Sequence, residues 1–222
     1  MEIVADSMVD AWTKSIRYLL GFGTWVPTER NTRALEVRNL LLIITSPQLN
    51  PPLPVRYGFD RRFVAEHIGT FHTEQYTGAS IRSRIYCFRG TINQVDVVVQ
   101  RLRENWYSRR AVIITWEPVE DNTSDGPPCA VVLTFLIRDG KLCLSVVLRS
   151  NDAWLAVVPD MIALMQIQFE VARILSVPVG DYAHLAVSYH IYEPDVAHAR
   201  RNMAPEFCDD VLERTQQSLS GL

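Results

Sequence analysis

No run of apolar residues in this sequence approaches the roughly 20 needed to cross a bilayer, and the opening "MEIVADSMVD" carries acids where a secretory leader needs a basic start. These absences predict a cytoplasmic protein. No two cysteines stand at CxxC spacing: Cys87, Cys129, Cys143 and Cys208 are scattered, so neither a zinc site nor a disulfide framework is expected, and no metal. Charge of one sign is not in excess, the formal net charge being -3, which removes the global signature of a nucleic-acid or membrane surface. Internal repeats and low-complexity tracts are missing too. What remains is a chain of 222 residues, 48% apolar and 21% charged, a composition that excludes a mainly disordered protein. Its length suits one domain, 1–222, with a sizeable core.

Periodicity sets out the elements. "SMVDAWTKSIRYLLGFG" has helical spacing, a Ser/Asp-rich start and glycines at its end, and "ALEVRNLLLIITSP" reads as a strand. "DRRFVAEHIGTF" predicts a short helix and "TINQVDVVVQRLREN" a longer one capped by its threonine, Thr91. "AVIITW" is β-branched and uninterrupted, hence a buried strand, and "EPVEDNTSDGPP" collects loop formers. "CAVVLTFLIR" and "KLCLSVVLRS" flank Asp139-Gly140, the dipeptide suited to a type I′ hairpin turn. A long apolar helix from about Pro159 to Leu175, a strand "YAHLAVSYHIYE" with two histidines, and a closing helix "MAPEFCDDVLERTQQSLSGL" complete the pattern. The order predicts an α+β sandwich around a mixed sheet.

Several side chains in this frame can carry chemistry. Cys129 follows two prolines at a loop–strand junction, and a cysteine attacks carbon only as thiolate, which requires cations nearby. Arg109 and Arg110 precede a strand and Arg149 follows one; converging arginines make a phosphate clamp. His190 and Tyr192 share a strand face by alternation. Glu66 lies on the short helix, and Asp160 follows Pro159 in the first turn of the long one, where the macrodipole favours an acid. Taken one at a time, each has an ordinary reading as a surface or core residue.

Together, in order, "SRRAVIITW", "PPC", "FLIRDGKLCLSVVLRSNDAW" and "GDYAHLAVSYHIY" resemble the thymidylate synthase family, continuously from Arg109 to Tyr192, with weaker echoes at "TERNTR" and "FVAEHIG". The resemblance implies a homodimer in which Cys129 adds to C6 of a pyrimidine nucleoside monophosphate. Arg30, Arg149, Ser150 and, from the partner subunit, Arg109 and Arg110 would hold the phosphate. His190 and Tyr192 would bind the sugar hydroxyl, Asp152 would meet the folate, and Glu66 would organise proton transfer. The co-substrate implied is 5,10-methylenetetrahydrofolate. Addition of the thiolate gives C5 enamine character, so one hard step becomes two easier ones.

The sequence departs from the family's main line at Asp160, where thymidylate synthases carry an asparagine that donates to uracil O4. A carboxylate has no donor. It suits the 4-amino edge of cytosine and a protonated N3, and it stabilises the adduct more than the ground state. This departure marks the family's cytidylate (CMP or dCMP) 5-hydroxymethylases, including the ribonucleotide type of nucleoside-antibiotic (mildiomycin) pathways. Ala130 in place of the usual histidine, Leu148 in place of glutamine, and Ala186, Val187 and Ser188 in place of Gly-Gly-Asp are further departures. The ending "QQSLSGL" lacks an apolar tail to seal the site against water, which favours a hydroxymethyl product. The expected activity is therefore folate-dependent 5-hydroxymethylation of a cytidine 5′-monophosphate. The alternatives are methylation of dUMP by a thymidylate synthase with an altered base contact, and a non-catalytic nucleotide- or RNA-binding relative. Ribose and deoxyribose are not distinguished.

Overall fold

The computed structural model describes residues 1–70 and 81–203. The closing helix expected from residue 203 onward lies outside these apart from Met203.

Among the described residues seven strands form one mixed sheet: β1 (Glu2–Ala5), β2 (Thr24–Pro27), β3 (Arg33–Ile44), β4 (Ala111–Ile114), β5 (Ala130–Arg138), β6 (Lys141–Asp152) and β7 (Val179–Tyr192), in the spatial order β1-β3-β7-β6-β5-β4 with β2 also on β3. β1 runs parallel to β3 and β6 parallel to β7; the remaining pairs are antiparallel. The helices are α1 (Met8–Phe22), α2 (Arg61–Thr70), α3 (Ile81–Tyr86), α4 (Gln94–Glu104), α5 (Pro118–Asp121) and α6 (Val157–Leu175), and residues 193–203 are helical as well. This is the mixed α+β architecture the sequence predicts.

Local chemistry explains most boundaries. Ser7 caps α1 by accepting from the Asp10 amide at 3.2 Å. α4 is capped by Asn93, accepting from the Val95 amide at 3.1 Å, and not by Thr91, whose amide is turned back to the Phe88 carbonyl in a tight turn. Asp139 and Gly140 take φ of 49° and 73° and close the β5–β6 hairpin at the pair Arg138 and Lys141. The expected loop "EPVEDNTSDGPP" contains α5, and two of its acids, Glu117 and Asp121, are buried. Their burial follows from arginines contributed elsewhere: Arg84 reaches Asp121 at 2.6 and 2.8 Å, and Arg89 reaches Glu117 at 2.8 and 3.1 Å.

The core lies between the sheet and the helices. Along β6, Leu142, Leu144, Val146 and Leu148 are buried, and along β7 Tyr182, His184 and Ala186 share that face. Trp12 of α1 is wholly buried against Tyr57, Phe59 and Trp154, and its indole N–H donates to the Ala153 carbonyl at 2.8 Å. That bond ties α1 to the turn that launches α6. On the other face the register lines up Ile114, Val132, Val147, Leu185 and Leu41 in one row across five strands. All five are only partly covered, Ile114 being 42% exposed.

Candidate active site

The candidate site gathers where β5 begins and where β6 and β7 end. Pro127-Pro128 delivers Cys129 to the edge of β5, and a register shift between Ala130 and Val132 bends the strand at that point. Arg149 clamps this entry. Its amide donates to the Cys129 carbonyl at 2.9 Å, its Nε to the Pro128 carbonyl at 3.1 Å and its Nη2 to the Pro127 carbonyl at 2.7 Å. The same Nη2 stands 4.0 Å from Cys129 Sγ, and Ser150 Oγ lies 3.8 Å from that sulfur.

Opposing influences act on the thiol. Burial pushes its pKa up, and the Asp160 charge pushes it further; Arg149, the Ser150 hydroxyl and Arg30 pull it down. Arg30 reaches the site from the β2–β3 connection and lies over the Tyr192 ring, 4.7 Å from its centroid. Tyr192 packs edge-on against His190 at 4.9 Å, so the alternation that predicts a shared face holds. His190 is opposite Asp152 in the parallel β6–β7 register. Burial raises the Asp152 carboxyl above its usual range, partly offset by the Leu155 and Trp154 amides that donate to Oδ1 at 3.0 Å, and burial lowers the His190 imidazole.

Asp160 does not face bulk water. It lies in the first turn of α6, is 6% exposed, and both oxygens have partners: Oδ1 meets His67 Nε2 at 3.2 Å and Oδ2 accepts from Asn151 Nδ2 at 2.6 Å. Asn151 Oδ1 in turn pairs with His184 Nε2 at 2.8 Å, and His184 Nδ1 with the Tyr182 hydroxyl at 2.8 Å. His67, Asn151, His184 and Tyr182 were not singled out by sequence reasoning. The one available signal was His184, a histidine at a core position of an apolar strand.

The structure brings together Cys129, Ser150, Arg149, Arg30, Asp152, Asp160, His190 and Tyr192. Glu66 stands apart from them, its side chain 65% exposed and paired with Arg62 at 2.8 Å one turn away on α2. Arg109 and Arg110 are also elsewhere, exposed in the turn before β4. Since Ala111 pairs with Phe135, they sit near the far end of β5, about 20 Å of extended chain from Cys129. Beside the turn into α6, a cavity of about 440 Å³ is lined by Tyr57, Phe63, Trp154, Leu155 and His198, among others. Cys87, Cys129 and Cys143 are free thiols.

The sequence model of the thymidylate synthase family matches residues 48–215. The chain belongs to the thymidylate synthase family. Relatives include proteins named "Putative thymidylate synthase" from Methanocaldococcus jannaschii, 34% identical over 86% of this chain and 90% of the relative, and from Methanothermobacter thermautotrophicus, 27% identical over 89% and 96%. Family membership makes the protein a one-carbon transferase that uses methylenetetrahydrofolate and a nucleotide. No helix among the described residues is long and apolar enough to cross a membrane.

Proposed function

We propose that the protein transfers a hydroxymethyl group to C5 of a cytidine 5′-monophosphate, ribo or deoxy, and that Cys129 is the nucleophile. The observation that carries this reading is Asp160, a buried acceptor-only side chain whose charge acts on the Cys129 thiol. A base bonded through C6 to Cys129 would turn its 4-position toward that carboxylate, and only a 4-amino group and a protonated N3 donate to it.

In this reading Arg149, Arg30 and Ser150 hold the nucleotide phosphate beside Cys129, and His190 and Tyr192 hold the sugar. The fixed arginines position the base and offset the burial that keeps the thiol protonated. Methylenetetrahydrofolate supplies an electrophilic one-carbon unit when bound. Asp152 would meet the N–H edge of the pterin, and the aromatic lining of the cavity beside the turn into α6 suits a flat ring. In this reading Glu66 organises water and protons once it leaves Arg62, its partner on α2.

Two observations favour a homodimer. The apolar row from Ile114 to Leu41 is a face that water does not suit, and Arg109 and Arg110 are too distant to serve the Cys129 of their own chain. Each would then complete the phosphate clamp of the partner.

A second reading, methylation of dUMP, is favoured by the printed name of the relatives. Incubation with CMP, dCMP, UMP or dUMP and methylenetetrahydrofolate separates the two by product mass and folate absorbance. Hydroxymethylated cytidylate with tetrahydrofolate supports the proposal. Methylated uridylate with dihydrofolate, and unreacted cytidylate, overturns it.

A further inference from the structure

Asp160 forms one end of a buried chain of polar groups that no step above uses. Asn151 is 1% exposed, and His184 and Tyr182 are wholly buried. The four side chains come from β6, β7 and α6 and link at 2.6, 2.8 and 2.8 Å. Buried polar groups are kept where they are satisfied, and here satisfaction depends on the direction in which the chain is polarised.

Two directions are self-consistent. In the first, the Tyr182 hydroxyl donates to His184 Nδ1, His184 Nε2–H donates to Asn151 Oδ1, and Asn151 Nδ2 donates to Asp160 as a carboxylate. In the second, the Asn151 amide is flipped, His184 carries its proton on Nδ1 and gives it to the tyrosine oxygen, and Asp160 must itself carry a proton to meet Asn151 Oδ1. A neutral imidazole fits either direction, and burial holds His184 neutral by pushing its pKa down to about 3. Only the first direction leaves Asp160 ionised, with both oxygens accepting.

We propose that Asn151, oriented by His184, is the positioning residue that fixes Asp160 as an acceptor and thereby sets the preference for a 4-amino over a 4-oxo pyrimidine. The inference rests on the cytidylate reading for the sign of the preference, and on the hydrogen-bond chain for its origin. His184 acts through its N–H, at two removes from the base. Tyr182 sets which ring nitrogen carries that hydrogen.

The test is exchange of the C5 hydrogen of CMP and of UMP with solvent deuterium, which needs addition of Cys129 but no folate. The quantity read is the ratio of kcat/KM for the two nucleotides. His184→Phe keeps a ring in the core but has no N–H, whereas His184→Gln keeps a donor. Loss of the Asn151–Asp160 hydrogen bond, or of the His184 donor that orients it, predicts that His184→Phe and Asn151→Leu each lower the CMP:UMP ratio about tenfold to a hundredfold. His184→Gln stays within about twofold of wild type, because its amide takes over the donation. Near-ultraviolet circular dichroism verifies folding, and Asn151→Leu carries the test alone if His184→Phe does not fold. A ratio unchanged in the donor-less variants, or equally lost in His184→Gln, overturns the proposal. A wild type that exchanges only UMP overturns the cytidylate reading instead. In that case a ratio moved by the donor-less variants and restored by His184→Gln still supports control by the hydrogen-bond chain.

Discussion

At the scale of single residues, Asp160 acts in two ways. Its charge raises the energy of the Cys129 thiolate in the resting protein, and in the proposed reaction its oxygens would set what the base edge must offer. Asp160→Asn removes the charge and restores a donor. Iodoacetamide alkylation of Cys129 at pH 8 should speed up several-fold, read by mass spectrometry, and C5 exchange should shift from cytidylate toward uridylate by about 10² or more. Neither change would follow if Asp160 were only a helix-start acid. His184 adds a pH dependence. Its folded value of about 3 lies below the ordinary value of 6.5, so between those limits the unfolded chain binds a proton that the native chain refuses. Stability is therefore lost as pH falls below about 6.5, by ~2 kcal/mol at pH 5 from this group. Urea unfolding at pH 7 and pH 5 should show that difference for wild type and its disappearance in His184→Gln. Cys129, Arg149, His190 and Tyr192 were legible in the sequence because they stand at or near the ends of strands with clear alternation. His67, Asn151 and His184 were not, since their shared partner or neighbour comes from another element and spacing carries no record of it.

Elements show the same contrast between local and distant causes. The β5–β6 hairpin could be read from Asp139-Gly140 alone, because a two-residue turn with positive φ fixes both strands it joins. β1 and β2 went unread: each is four residues long and gains its identity only by pairing with β3. The region of α5 has the composition of a loop, because the arginine that buries its acid stands 37 positions earlier in the chain. Asp121 is 2% exposed and depends on Arg84, which also donates to the Thr115 carbonyl at 2.8 Å. Replacing Arg84 by Met should therefore cost roughly 3–5 kcal/mol by leaving a buried carboxylate without its cation. Arg84→Met combined with Asp121→Leu should recover most of that loss. Urea denaturation of the three proteins measures it, and equal stabilities of single and double variants would show that the ion pair is not the cause.

On the scale of the whole molecule, the sheet separates two kinds of surface. One face builds the core with the helices; the other presents the row Ile114, Val132, Val147, Leu185 and Leu41. If that face joins two chains, a Cys129→Ala protein and an Arg109→Ala/Arg110→Ala protein, each inactive, should regain activity when refolded together. Random pairing leaves one intact site in each mixed dimer, so about a quarter of the wild-type activity per site is expected in an equal mixture. No recovery, with mixed dimers verified by mass, would place both arginines outside the partner's site. This level was the least legible in the sequence, because the alternation that marks a buried strand says nothing about whether its second face meets helices, water or another chain. Arg109 and Arg110 stand a full strand length from Cys129. If they serve the site of a second chain, a lone chain would hold Cys129 beside an unfinished anion cradle, and turnover per chain should fall on dilution as pairs come apart.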